Sequence, residues 1–237
     1  MAVLVIRNDA GGVATLTLNR PDALNALNLA LFLELRSHIE DIRSDIDGVG
    51  CVVLRGAGRS FCAGNDLKSI QVREAPPNPT FQADTIDMLE ALPQPVIAEV
   101  RGNCYTGGLE LALGCDLLVA SDTAKFSDTH GKWGMTPRWG MSQRLPRRIG
   151  YLKAKEMSYT ARVYSGTEAV AIGLANQCLP DDKLEIVVAS MAADIVATSW
   201  HSLRGNKMLY NKGRDYTFRE GMAFEMAESP GRSSDIE

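Results

Sequence analysis

Two glycine-containing segments, residues 60–68 (SFCAGNDLK) and 101–111 (RGNCYTGGLEL), each follow an apolar run and lead toward a helix. The C-terminal ends of strands in α/β sheets are where ligands bind, and a helix N-terminus offers unspent backbone N–H groups at the positive end of its dipole. Two such turns side by side are suited to gripping one oxyanion. Either segment alone reads equally well as glycine serving a tight turn, and the pair together is the more specific signal. Glu110 stands among Leu109, Leu111, Ala112 and Leu113. A carboxylate in that setting loses solvation, which raises its pKa and suits it to proton exchange near neutral pH. The competing role, a capping-box glutamate served by Thr106, would require the Glu where Leu109 stands.

The elements that must position these groups alternate. Residues 3–7 and 13–18 are short β-rich runs separated by Asp9-Ala10-Gly11-Gly12, a hairpin signal. Leu31, Leu33, Leu35, Ile39, Ile42 and Ile46 recur among polar residues as an amphipathic helix over 29–46. Residues 51–54, 95–100 and 117–120 are continuous apolar runs that read as buried strands, with a short apolar helix over 107–113 between the last two. Strand–helix alternation of this kind implies an α/β core with right-handed crossovers. Pro76, Pro77 and Pro79 make residues 72–80 a loop that is expected to flank a site. From Tyr151 the pattern is helical, with Ser165 as an N-cap, Gly173 as a stop and Asp181 or Asp182 opening the next helix.

Composition narrows the function classes. The 237 residues can bury one substantial core, and 45% hydrophobic with 23% charged residues is ordinary globular composition. A net charge of -4 offers no global field for a polyanion, so nucleic acid is not an expected partner. Five scattered cysteines with no CxxC pairing read as reduced thiols of a cytoplasmic protein and not as metal ligands. The opening MAVLVIRNDAGG is too short in apolar residues for a signal segment, and no window approaches the roughly 20 apolar residues of a membrane span.

FCAGNDL (61–67) followed by TGGLELALGCDLLVAS (106–121) resembles the two signature segments of the enoyl-CoA hydratase/isomerase, or crotonase, family. KFSDTHGKWGMTP (125–137), SQRLPRRIG (142–150) and the opening NRPDALNALN (19–28) resemble further blocks of it, so the similarity spans nearly the whole chain. The resemblance implies an α/β fold of the ClpP/crotonase kind. In it a four-turn spiral of ββα units over residues 1–180 is followed by a helical trimerisation region over 181–237, and the subunits assemble as a trimer or a dimer of trimers. It implies an acyl-CoA substrate bound in a bent conformation, with coenzyme A entering as part of the substrate and no separate cofactor or metal.

Carried over position by position, the family's oxyanion-hole donors fall on the backbone N–H groups of Asn65 and Gly107, and its first catalytic glutamate on Glu110. The second glutamate is absent: ungapped counting from Phe126 puts His130 in its place, with Asp128 as a weaker substitute for the acid. An imidazole, whose unperturbed pKa is about 6.5, can serve as base there or can be a pocket residue without a chemical role. The resemblance places adenine and pantetheine against Leu24, Ala26, Ala63, Asp66 and Leu67, mainly through backbone groups. Asp66 can equally cap the following helix. Arg20 and Lys68 are phosphate-partner candidates, with plain solvated charge as the default. Trp133, Met135 and Trp139 either line the acyl pocket or pack the core, the core being the default. Many members of the family that the sequence resembles continue past the position of Glu237 with a short helical stretch, so contacts of such a tail to the acyl pocket or CoA are not expected from residues 1–237. The expected activity is addition of water across the 2,3-double bond of an acyl-CoA. The alternatives are isomerase or hydrolase chemistry on the same scaffold, or binding without turnover.

Overall fold

The computed structural model describes residues 2–72 and 74–233; Met1, Arg73 within the 72–80 loop and residues 234–237 of the C-terminal tail lie outside that description. Strands β1 (Val5–Ala10) and β2 (Val13–Leu18) pair antiparallel through a two-residue Gly11–Gly12 turn, with Ala10 opposite Val13. A short 3-10 turn (Pro21–Ala23) leads to α1 (Leu29–Ser44), which Asn28 caps by accepting the Leu31 N–H at 2.9 Å. Leu31, Phe32, Leu35, Ile39 and Ile42 form the buried stripe of α1. Leu33, counted in that stripe from the sequence, is 46% exposed, and Ile46 lies beyond the helix end; Phe32, one position from Leu33, fills the inward place instead.

The chain then runs through β3 (Cys51–Gly56), α2 (Leu67–Val72), α3 (Phe81–Glu90), β4 (Val96–Val100), β5 (Asn103–Tyr105), α4 (Gly107–Leu113), β6 (Leu117–Ser121) and β7 (Lys125–Ser127). After a 3-10 turn (His130–Trp133) come α5 (Met141–Ile149), α6 (Tyr151–Thr160), β8 (Tyr164–Ser165), α7 (Gly166–Ala171), β9 (Gln177–Leu179), α8 (Asp181–Val196), α9 (Trp200–Gly213) and α10 (Phe218–Glu228). The six-stranded sheet has the order β1-β2-β3-β4-β6-β9 and is parallel from β2 onward. β9 corrects the purely helical reading after Tyr151, because three residues pairing at a sheet edge leave almost no periodic signal. α3 also went unread. Its buried Phe81, Thr85, Ile86 and Leu89 face α1, but a single turn-spaced stripe that includes a threonine is weak in sequence.

A second ladder stacks beside the sheet. Leu27 bridges Asn65, Cys62 bridges Cys104, β5 pairs with β7 in parallel, and β8 closes the stack antiparallel to β7. Each of β2, β3, β4 and β6 is therefore followed by a short segment in this ladder and then by helix, which makes four turns of a ββα spiral. The alternation of side chains decides which layer each strand feeds. Val52, Leu54, Ala98, Leu118 and Ala120 enter the main core with α1, whereas Cys51, Val53, Ile97 and Val119 meet Leu184, Val188 and Ala192 of α8 on the other face. Burial on both faces explains the uninterrupted apolar runs of these strands. It also packs α8, the first helix of the 181–237 region, directly on the strands of the spiral. α9 docks through Lys207, whose ammonium donates to Gln94 O at 2.8 Å and Asp116 Oδ2 at 2.7 Å.

Asn25, fully buried and at φ +56°, ties the first turn of the spiral to the second. Its amide donates to Ala57 O and Ser60 O and accepts the Arg20 N–H. Asn25→Ala strands these three groups and places a Cβ-bearing residue without a local hydrogen bond in the left-handed region. A loss of about 3 kcal/mol is expected, read as a lower denaturation midpoint at unchanged m-value.

Candidate active site

A cavity of about 190 Å³ opens where the second and third turns of the spiral meet, and Asn65, Gly107, Glu110 and His130 all line it. The turn before Asn65 passes through Gly64 at φ +108°, a conformation that side chains disfavour, and a Cβ there would stand 3.0 Å from Tyr105 O. Gly107 begins α4. A Cβ built on it would meet Trp139 Cζ3 at 2.5 Å and Asn65 N at 3.4 Å, so the two N–H groups border the same point in space. Among the described residues neither N–H donates to a protein acceptor. The residue between the strand and Gly107 is Thr106, at φ 49° and ψ -111°, an unfavourable region for a β-branched residue. It is held there from several sides. Its N–H donates to Ser127 O at 2.9 Å, its carbonyl accepts the Glu110 N–H at 2.9 Å, and its hydroxyl bonds that of Thr129 and accepts the Thr129 N–H. Thr106 makes no side-chain cap bond to the first turn of α4. No local sequence signal distinguishes such a residue from an ordinary turn threonine.

Glu110 is 1% exposed. Its Oε1 accepts the N–H groups of Trp139 (2.9 Å) and Met141 (3.1 Å), leaving Oε2 to face His130 Nε2 at 3.8 Å. Burial pushes the carboxyl up from the ordinary glutamate range, against the Met141 and Trp139 donors and the His130 imidazole, which pull it down. His130 opens its 3-10 turn and is itself buried. Its Nδ1 sits 2.6 Å from Asp128 Oδ1. Asp128 thus lies on the side of the ring away from Glu110 and does not stand in for the missing acid. Burial alone would raise its pKa, but the hydrogen bonds from His130 and Ser158 outweigh that and hold it below the usual aspartate value.

Trp133, Met135 and Trp139 line the cavity, and of the three Trp139 also packs against the core, as its default placement had it. Trp133 is 58% exposed, and the Trp139 ring lies against Gly107 and meets Phe32 edge-on with centroids 5.2 Å apart. Ala63 and Leu67 also border the cavity, whereas Leu24, Ala26 and Asp66 do not. The N–H groups of Leu24, Ala26, Ala63 and Asp66 donate internally, to Pro21, Ala23, Leu24 and Leu27 carbonyls, so what this strip offers a ligand is carbonyl acceptors. Asp66 binds Arg20 at 2.8 Å and accepts the Lys68 N–H, which fits the capping role. Arg20 also donates to Ala26 O, so its guanidinium is a brace of the strip and not a free phosphate partner.

A four-turn ββα spiral carrying two unspent N–H groups beside a buried carboxyl defines a crotonase-fold enzyme. The family model described as enoyl-CoA hydratase/isomerase matches residues 8–230. A probable peroxisomal enoyl-CoA hydratase of Arabidopsis thaliana is 35% identical over 89% of this chain and 79% of its own length. Among solved structures, an enoyl-CoA hydratase from Bacillus anthracis superposes with a TM-score of 0.90 at 34% identity, covering 95% of this chain and 89% of its own. A monofunctional enoyl-CoA isomerase from M. smegmatis does so with 0.81 at 34% identity, covering 93% and 98%. The chain belongs to the enoyl-CoA hydratase/isomerase family.

Proposed function

We propose that the protein adds water across the 2,3-double bond of an acyl-CoA thioester. The observation that carries this reading is the convergence of the Asn65 and Gly107 N–H groups beside a cavity in which Glu110 Oε2 and His130 Nε2 face each other. The thioester oxygen accepts both N–H groups. His130 Nε2 takes a proton from water as the hydroxide oxygen bonds C3, and the double-bond electrons move onto the thioester oxygen as an enolate. Preorganised donors stabilise such a charge by about 3 kcal/mol each. The enolate then collapses as C2 takes the proton of Glu110. The imidazolium returns its proton to the Glu110 carboxylate, so the net change is the addition of one water.

Purified protein incubated with a panel of enoyl-CoA thioesters should consume the conjugated double bond and yield hydroxyacyl-CoA. His130→Ala should lower that rate about 10²-fold, and His130→Glu should retain most of it. The alternative, double-bond migration by Glu110 alone, has a relative in the isomerase from M. smegmatis. It predicts migration that survives His130→Ala with no hydroxyacyl product, and protein that binds acyl-CoA without any turnover would favour a binding role.

We also infer a homotrimer or a dimer of trimers. No residue of α10 is buried, and Phe218, Met222 and Met226 expose apolar area that a monomer leaves in water. Light scattering should give three or six subunits, and an active monomer would overturn the inference. All five cysteines are free thiols, which supports a reducing compartment such as the cytoplasm.

A further inference from the structure

We propose that Asp128, braced by Ser158, is the positioning residue of the site: it fixes the His130 imidazole with its hydrogen on Nδ1 and leaves Nε2 bare toward Glu110 and the attacking water. This deepens the hydratase reading and rests on it.

The geometry leaves Asp128 no other use. Its Oδ1 accepts from His130 Nδ1 at 2.6 Å and from the His130 backbone N–H at 3.2 Å. Its Oδ2 accepts the Ser158 hydroxyl at 2.7 Å, and the residue is 2% exposed. An ionised carboxylate only accepts, so the ring nitrogen beside it must carry the hydrogen, and in the neutral imidazole the opposite nitrogen then holds the lone pair. The backbone bond alone would make a common turn in which an aspartate caps the residue two ahead. Such a turn explains neither the short contact to the ring nor the serine, thirty residues away on α6. α6 itself is tied to the same strand end, since Ser127 Oγ donates to Ala161 O at 3.1 Å. His130 is held on its other side as well, because its carbonyl accepts the Met135 N–H at 3.0 Å.

The ring thus forms a partition. One side faces Glu110 in the thioester cavity. The other, with Asp128 and Ser158, borders a second, largely apolar cavity of about 440 Å³ between the 3-10 turn, α5 and α6. The ionisable groups lining the cavities beside His130 include Glu110 from α4, Asp128 from its own segment, Tyr151, Lys155 and Tyr159 from α6, and Arg138 before α5; Glu110 stands 3.8 Å from Nε2 and Asp128 2.6 Å from Nδ1. When His130 takes the water proton, the imidazolium is flanked by two carboxyl groups. Asp128 favours that charge without touching substrate.

The test is ¹⁵N NMR of histidine-labelled full-length protein above the imidazole titration, with the His130 signals assigned by their loss in His130→Ala. The proposal expects a protonated Nδ1 and an unprotonated Nε2 in the parent, and a shift toward the opposite tautomer in Asp128→Asn, whose amide can donate to Nδ1. Asp128→Asn should also lower kcat at least ten-fold at nearly unchanged KM, because the imidazolium loses its partner. Ser158→Ala should lower kcat a few-fold, and Ser158→Thr should restore it. An Nε2–H tautomer in the parent, or an Asp128→Asn protein whose tautomer and kcat match the parent's, overturns the positioning role. Those outcomes leave the hydratase reading standing. That reading fails separately, if the parent forms no hydroxyacyl-CoA from any enoyl-CoA, and the tautomer measurement is then still decisive for Asp128.

Discussion

Glu110→Gln should lower kcat for hydration by about 10⁴-fold, the upper end of what a positioned acid/base contributes, while leaving acyl-CoA affinity within a few-fold. The isosteric amide keeps an oxygen to accept the Trp139 and Met141 N–H groups, so the segment before α5 has no reason to move. What it loses is the exchangeable proton at the Oε2 position, 3.8 Å from His130. Burial, which raises the pKa of the carboxyl in the parent, has nothing to act on in the amide. Single-turnover kinetics on an enoyl-CoA, paired with calorimetric binding of its saturated analogue, separates the two effects. Turnover within ten-fold of the parent would remove Glu110 from the chemistry.

Gly107→Val should cost about 10³-fold in kcat/KM, an effect carried by both constants. The first added carbon would sit 2.5 Å from the Trp139 ring, and that ring is held edge-on by Phe32, so it has little room to yield. Either the indole is driven into a cavity of only about 190 Å³ or the start of α4 turns and carries the Gly107 N–H away from the Asn65 N–H. Overpacking of this kind also destabilises by about 1–3 kcal/mol, so circular dichroism and a melting curve accompany the kinetics. A folded Gly107→Val protein with normal turnover would place the oxyanion hole elsewhere. Gly107→Ala already introduces the clashing carbon and should fall between the parent and the valine variant.

Much of this molecule was legible in short stretches of sequence. Hairpin, α1, the buried parallel strands, the Ser165 cap and the start of α8 are each specified by neighbours a few residues apart, where periodicity and capping act. Glu110 was legible for the same reason, since its apolar neighbours on α4 foretell its desolvation. The two glycine segments announced a turn chemistry, and their resemblance to a known family named the positions worth inspecting, His130 among them.

The tertiary structure alone decided how distant groups meet. Only the ladder register brings Asn65 and Gly107 to one point, only the docking of α6 sets Ser158 against Asp128, and only the path before α5 sets Trp139 between the cavity and the core. Asp128 illustrates the limit: two residues from His130 it reads as a spare acid, and the side of the imidazole it occupies makes it an orienting partner instead. Propensity and pattern act over a turn of helix or a pair of strand residues. Hydrogen-bond direction and burial, which assign each ionisable group its role, depend on elements thirty or more residues apart coming to rest against one another.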